Sequence, residues 1–137
     1  MSCIVYTDGA SSGNPGPGWA MWVVENPKSQ IPITQKRERL EHCTNNEAEY
    51  LAVIHALQYL QRHSALWNSE QLIEFRIDSK LVVEQINKRW RVKDPRMAAF
   101  CAQIKKLLTA FTIPAQFTHI PREGNKADAL KYAPPSS

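Results

Sequence analysis

The sequence predicts an α/β layer fold built around a mixed five-stranded sheet. Three observations carry that expectation. Residues 1–40 hold short β-rich segments separated by turns rich in glycine and proline. The pattern then changes to helical spacing behind Thr44-Asn45-Asn46-Glu47, a capping box. Two further β-rich segments follow among helical stretches, an arrangement that favours parallel pairing between them.

The elements follow in order. Cys3 to Thr7 is a short apolar run and reads as the first strand. Ser12-Gly13-Asn14-Pro15-Gly16-Pro17-Gly18 is a turn by composition. Trp19 to Glu25, rich in aromatic and β-branched residues, is the second strand. Asn26-Pro27-Lys28-Ser29 is a turn, and Ile31 to Leu40 alternates loosely as a third strand. Tight turns between the three imply an antiparallel meander. Thr44 caps a helix whose apolar positions recur from Ala48 to Arg62. Leu72 to Ile77 is the fourth strand, with a helix from Ser79 to Asn87 directly after it. Asp94-Pro95 places proline at a first helical position and opens a helix to about Ala110. Ala115 to His119 is the fifth strand, and Asn125 to Tyr132 a short last helix.

Composition bounds the function classes. Of 137 residues, 43% are hydrophobic and 22% charged, ordinary values that argue against disorder and coiled coil. A chain of this mass buries roughly 68% of its unfolded surface, enough for one core. Residues 1–133 read as one domain and 134–137 as a frayed tail. No apolar run approaches the ~18 residues of a membrane span, and no export signal is expected. Cys3, Cys43 and Cys101 are odd in number and widely spaced, so neither a disulfide framework nor a zinc site is expected. A cytoplasmic monomer is the expectation. The net charge of +4 is a mild bias towards polyanions.

Four carboxylates stand at comparable places. Asp8 ends the first strand and Asp78 the fourth, while Glu49 and Asp128 lie near helix starts. Sites in open α/β sheets form at the carboxyl ends of strands. Clustered carboxylates repel unless a cation neutralises them, and hard oxygen ligands suit magnesium or manganese. Two such ions can activate water and stabilise a leaving oxygen in phosphodiester cleavage. The plainer alternative is that acids at such positions are caps.

Thr7-Asp8-Gly9-Ala10-Ser11 with Gly13-Asn14-Pro15-Gly16-Pro17-Gly18 resembles the opening of type 1 ribonuclease H. Thr44-Asn45-Asn46 with Glu49, then Asp78-Ser79-Lys80-Leu81-Val82-Val83, are similar to the next two blocks of that family. His119-Ile120-Pro121-Arg122-Glu123 with Asn125 and Ala127-Asp128-Ala129-Leu130 resembles the last. The blocks come in family order across nearly the whole chain. The resemblance implies a ribonuclease H-like fold with sheet order 3-2-1-4-5. It implies Mg²⁺- or Mn²⁺-dependent cleavage of RNA paired with DNA, two ions being held in the presence of substrate. The products would be a 5′-phosphate and a 3′-hydroxyl. Carried over residue by residue, it makes Asp8, Glu49, Asp78 and Asp128 the metal-binding catalytic acids. His119 matches a mobile histidine that assists proton transfer or product release. Asn14, Thr44 and Asn45 match residues that hold nucleic-acid backbone.

Glu47 lies two positions before Glu49 and is also acidic. Residues two apart on a helix face different ways, and the capping box claims Glu47, which leaves Glu49 for the cluster. His119 could equally be a satisfied structural histidine on the residues alone. Lys80, Arg89, Trp90 and Lys93 combine basic charge with an embedded aromatic, which fits a nucleic-acid backbone. A solvated helix end gives the same composition.

The chain departs from the family in two respects. Only Lys126 separates Asn125 from Ala127-Asp128, so this loop is one residue short of the family pattern. It could tighten and leave Asp128 at the metal, or the last helix could slip and bring Asn125 forward. There is also no room for a basic handle between the second and third helices, and no separate hybrid-binding domain. The rival functions are a nuclease acting on double-stranded RNA, a fragment of a retroelement polyprotein, and a non-catalytic hybrid-binding module on the same fold.

Overall fold

The computed structural model describes residues 2–26 and 33–132. Its sheet comprises β1 (Ser2–Ser11), β2 (Gly16–Glu25), β3 (Thr34–Cys43), β4 (Leu72–Ile77) and β5 (Ala115–His119). The helices are α1 (Asn45–Arg62), α2 (Lys80–Ile86) and α3 (Pro95–Leu108). Short 3₁₀ turns cover Ser64–Leu66, Arg122–Gly124 and Asp128–Tyr132. The sheet order is 3-2-1-4-5. β1 pairs antiparallel with β2, and β2 with β3, while β1–β4 and β4–β5 are parallel. This is the expected ribonuclease H-like arrangement.

Both faces of β1 are covered. Cys3 and Val5 join the main core with Trp22 of β2, Tyr50, Val53 and Leu57 of α1, and Phe75 of β4. Tyr6 points the other way, into a smaller cluster with Met21, Val23 and Ala127. Alternation along the strand therefore feeds two cores rather than one core and solvent. α1 starts as expected: Thr44 Oγ1 accepts from Glu47 N–H at 3.1 Å, and Glu47 Oε1 accepts from Thr44 N–H at 2.8 Å.

Several boundaries differ from the sequence reading. β1 continues past Thr7 because Gly9, Ala10 and Ser11 pair with Ala20, Trp19 and Gly18 of β2. Asp8 therefore lies within a strand, not at its end. β3 ends later than expected because its far end is anchored by Cys43 pairing with Gly16. The last helix is 3₁₀, not α. Its apolar anchors Ala127 and Leu130 are three residues apart, and the 3.0-residue turn stacks them on one side. The expected turn across 27–29, the start of the third strand at 31–32 and the tail at 134–137 lie outside the described residues.

Candidate active site and nucleic-acid face

The site follows from a change of partner along β1. Parallel pairing with β4 ends at Thr7 opposite Ile77, so Asp8 and Asp78 are the next residues on two adjacent strands. α1 brings Glu49 to them because residue 9 has no side chain. A Cβ on Gly9 would lie 2.2 Å from the Ala48 carbonyl carbon and oxygen and 2.5 Å from Glu49 N. Bare backbone lets the helix rest directly on the strand. The Gly9 N–H then donates to both Asp8 Oδ1 and Glu49 Oε1, each at 2.9 Å.

One carboxylate oxygen from each of Asp8, Glu49 and Asp78 lies within 4.8 Å of the others. Asp8 is 1% exposed and Glu49 9%. Glu49 Oε2 has no hydrogen-bond partner among the described residues, and Asp8 Oδ2 accepts no directed bond. Burial pushes the Glu49 carboxyl well above the ordinary range, and hydrogen-bonding and charge from Asp8 add to it, against the Gly9 N–H. Asp78 is raised by burial and then by the Asp8 charge, with the Asn125 hydrogen bond and the Arg122 charge opposing. Beside them lies a hollow of about 450 Å³ lined by Gly9, Glu49, Asp78, Ser79, Arg122 and Lys131. Buried carboxylates with vacant lone pairs and only oxygen donors match what a hard divalent cation requires.

Asp128 stands outside this group of three. Lys131 Nζ lies 2.7 Å from Asp128 Oδ1 and 3.2 Å from Asp8 Oδ2, so it bridges the fourth acid to the first. The Lys131 hydrogen bond holds the Asp128 carboxyl below its usual range. Burial would lower the Lys131 ammonium, but its bonds to the two acids outweigh that and raise it. Asn125 is 4% exposed and donates through Nδ2 to Thr7 O at 2.9 Å and Asp78 Oδ2 at 3.2 Å. The short loop thus tightens, and the last segment does not slip out of phase. Arg122–Gly124 tightens into a 3₁₀ turn and Ala127 stays buried, yet Asn125 reaches Asp78. Lys131 escaped the sequence reading, although its i,i+3 spacing from Asp128 was the available signal.

Glu47 is engaged elsewhere: besides its capping bonds, its second oxygen pairs with Arg96 of α3. His119 is exposed at the end of β5, in register with Ile77, the residue before Asp78, and its charge is felt by Glu84 of α2. Asn14, Thr44 and Asn45 line a second hollow of about 600 Å³ that adjoins the first at Asn45. Asn14 Oδ1 accepts from Asn45 N–H at 3.0 Å, and Asn45 Oδ1 accepts from Ser11 N–H at 3.1 Å. Lys80 Nζ lies 5.8 Å from the centre of the Trp90 ring, which is 43% exposed. Lys93 is exposed. Arg89 is exposed too, but its guanidinium folds back on Glu84, Nη2 to Oε1 at 2.6 Å.

Comparison with known proteins gives consistent results. A family model described as reverse transcriptase-like matches residues 6–130. Ribonuclease HI of Halobacterium salinarum is 38% identical over 91% of this chain and 60% of its own length. A bifunctional protein of Mycobacterium tuberculosis is 33% identical over 95% of this chain and 34% of its own length. The chain thus spans 60% and 34% of the lengths of these two curated relatives. The crystal structure of RNase H1 from Halobacterium salinarum superimposes with a TM-score of 0.83 at 36% identity, covering 95% of this chain and 94% of that one. LC11-RNase H1, isolated from compost, has been solved in complex with an RNA/DNA hybrid. That complex gives a TM-score of 0.80 at 35% identity, covering 93% of this chain and 92% of that one.

Proposed function

The chain belongs to the ribonuclease H1 family, and from that membership we propose that it hydrolyses the RNA strand of RNA/DNA hybrids, leaving 5′-phosphate and 3′-hydroxyl ends. The observation that carries the proposal is the trio of buried Asp8 and Glu49 with half-buried Asp78, whose oxygens converge beside an open hollow and include a Glu49 oxygen with no partner. Both oxygens of Glu47 are engaged, by the Thr44 N–H and by Arg96, whereas Glu49 has one oxygen on the Gly9 N–H and the other left over for a cation.

These donors fit Mg²⁺ or Mn²⁺. Bound there, two ions in the presence of substrate would supply activation of a water and stabilisation of the leaving oxygen. Asp8, Glu49 and Asp78 would hold the ions, with Asp128 joining from the Lys131 side. Gly9 N–H fixes the orientation of two of these carboxylates, and Asn125 fixes the third. His119, exposed at the end of β5, would move a proton or help release product.

Asn14, Thr44 and Asn45 would hold nucleic-acid backbone. The side-chain oxygens of both asparagines are engaged inside the protein, so their amide N–H groups are the part suited to phosphate. Lys80, Trp90 and Lys93 would extend the contact, and Arg89 would join only by leaving Glu84. RNA selectivity would come from 2′-hydroxyls across a shallow minor groove. We place this activity in the cytoplasm, a reducing compartment that suits three free cysteines. No helix among the described residues is long and apolar enough to cross a membrane.

The test is a cleavage assay on matched RNA/DNA, RNA/RNA and DNA/DNA duplexes, with Mg²⁺, with Mn²⁺ and with EDTA. The proposal requires metal-dependent loss of RNA from the hybrid. Equal cleavage of RNA/RNA would favour the double-stranded RNA reading, and tight binding without cleavage would favour the binding module.

A further inference from the structure

The acids fall into two halves with different neutralisation. On one side of Asp8, Glu49 and Asp78 converge with a vacant Glu49 oxygen. On the other side, Asp8 and Asp128 share the ammonium of Lys131, at 3.2 and 2.7 Å. Lys131 is only partly exposed, with 22% of its side chain accessible, so its ammonium is held between the two acids. A point charge of this kind takes the place that a second cation would need on that edge.

We propose that Lys131 is a built-in occupant of the Asp8–Asp128 edge. The first divalent cation binds at the trio, where the Glu49 oxygen is free, with Lys131 still in place. A second one takes the Asp8–Asp128 edge only when the lysine swings out. The inference rests on reading the cluster as a divalent-cation site. It adds a positioning residue that controls how many ions the free protein holds. A mobile four-carbon stem suits this role, because it can leave without disturbing the backbone. The 3₁₀ turn keeps Lys131 one turn from Asp128, so the pair forms within a single local element.

The test is calorimetric titration of the folded, metal-stripped protein with Mn²⁺ alone. The wild type is expected to show one strong binding event and a second that is weak. Lys131→Gln removes the competing charge, and its second event should tighten by at least about tenfold, the scale on which a like charge in direct contact is felt. Lys131→Arg keeps the charge and should behave as the wild type. A second measurement needs no variant: acetylation of lysines in the wild type, read by mass spectrometry. Lys131 should be protected without metal and become reactive as Mn²⁺ fills the second event. Unchanged second-site affinity in Lys131→Gln, or a Lys131 acetylation rate indifferent to Mn²⁺, overturns the inference while leaving the metal site standing. Absence of any Mn²⁺ binding to the wild type overturns the metal reading itself, and this inference with it.

Discussion

Replacing Gly9 by alanine tests how the fold makes the site. The added Cβ would meet the Ala48 carbonyl at 2.2 Å, where ordinary contact begins near 3.4 Å. The atoms it meets are backbone, so no side chain can rotate away. α1 or β1 must shift by about 1 Å, from the difference between those distances. α1 carries Tyr50, Val53, Leu57 and Leu60 into the main core, and its displacement opens voids beneath them. Overpacking of this kind costs about 1–3 kcal/mol, and the rigid contact puts Gly9→Ala at the upper end. For a domain of this size that lowers the Tm by roughly 10 °C. The same shift moves Glu49 away from Asp8 and breaks the shared Gly9 N–H bond. A misplacement of about 1 Å in a catalytic group costs on the order of 100-fold in turnover. Thermal melts with and without Mg²⁺, together with hybrid-cleavage rates measured well below the Tm, read both effects. A Gly9→Ala protein that melts within about 2 °C of the wild type and cleaves at full rate would refute the reasoning.

Three further outcomes are expected. Asp8→Asn should raise the metal-free Tm, because it relieves repulsion within the trio by more than it loses at Lys131, while added Mg²⁺ should stabilise the variant less than the wild type; a lower metal-free Tm would remove the physical support for strained clustering. Asn125→Ala strands the Thr7 carbonyl and one Asp78 oxygen, so urea melts should show a loss of about 1–3 kcal/mol and Mn²⁺ titration a weaker first event; unchanged values in both would mean that Asn125 merely fills space. Replacing Lys80 and Lys93 by Ala should flatten the salt dependence of hybrid binding by about one unit of slope per lost phosphate contact, whereas Arg89→Ala should change it less because Glu84 already holds that guanidinium; equal effects from all three would contradict the Glu84 pairing.

How far the molecule was legible in its sequence differs from element to element. β4 and β5 were readable to the residue, because short segments of interleaved apolar and polar residues stand out between turn and helix signals. The split between Glu47 and Glu49 was readable because capping chemistry and helical phase both point the same way. The extension of β1 was not. Gly9-Ala10-Ser11 has poor strand propensity and is extended only because β2 lies beside it. The last segment was misread as α-helical because local spacing alone does not distinguish three from 3.6 residues per turn over so short a stretch. The roles of Asn125 and Lys131 depend on where the shortened loop places them in space, a tertiary outcome that no local pattern encodes.

The central claim is that Asp8, Glu49 and Asp78 form a divalent-cation site that cleaves RNA in hybrids. Its most direct measurement compares Glu49→Gln with Glu47→Gln, using Mg²⁺-dependent cleavage of an end-labelled RNA strand paired with DNA. Both residues are glutamates, two positions apart on one helix and both buried, so each substitution makes the same chemical change in the same element. Glu49→Gln removes a charge from the trio and should lose most turnover while remaining folded. Glu47→Gln can still close the capping box and should keep most of its activity. Loss of cleavage in Glu47→Gln with normal turnover in Glu49→Gln would contradict the account.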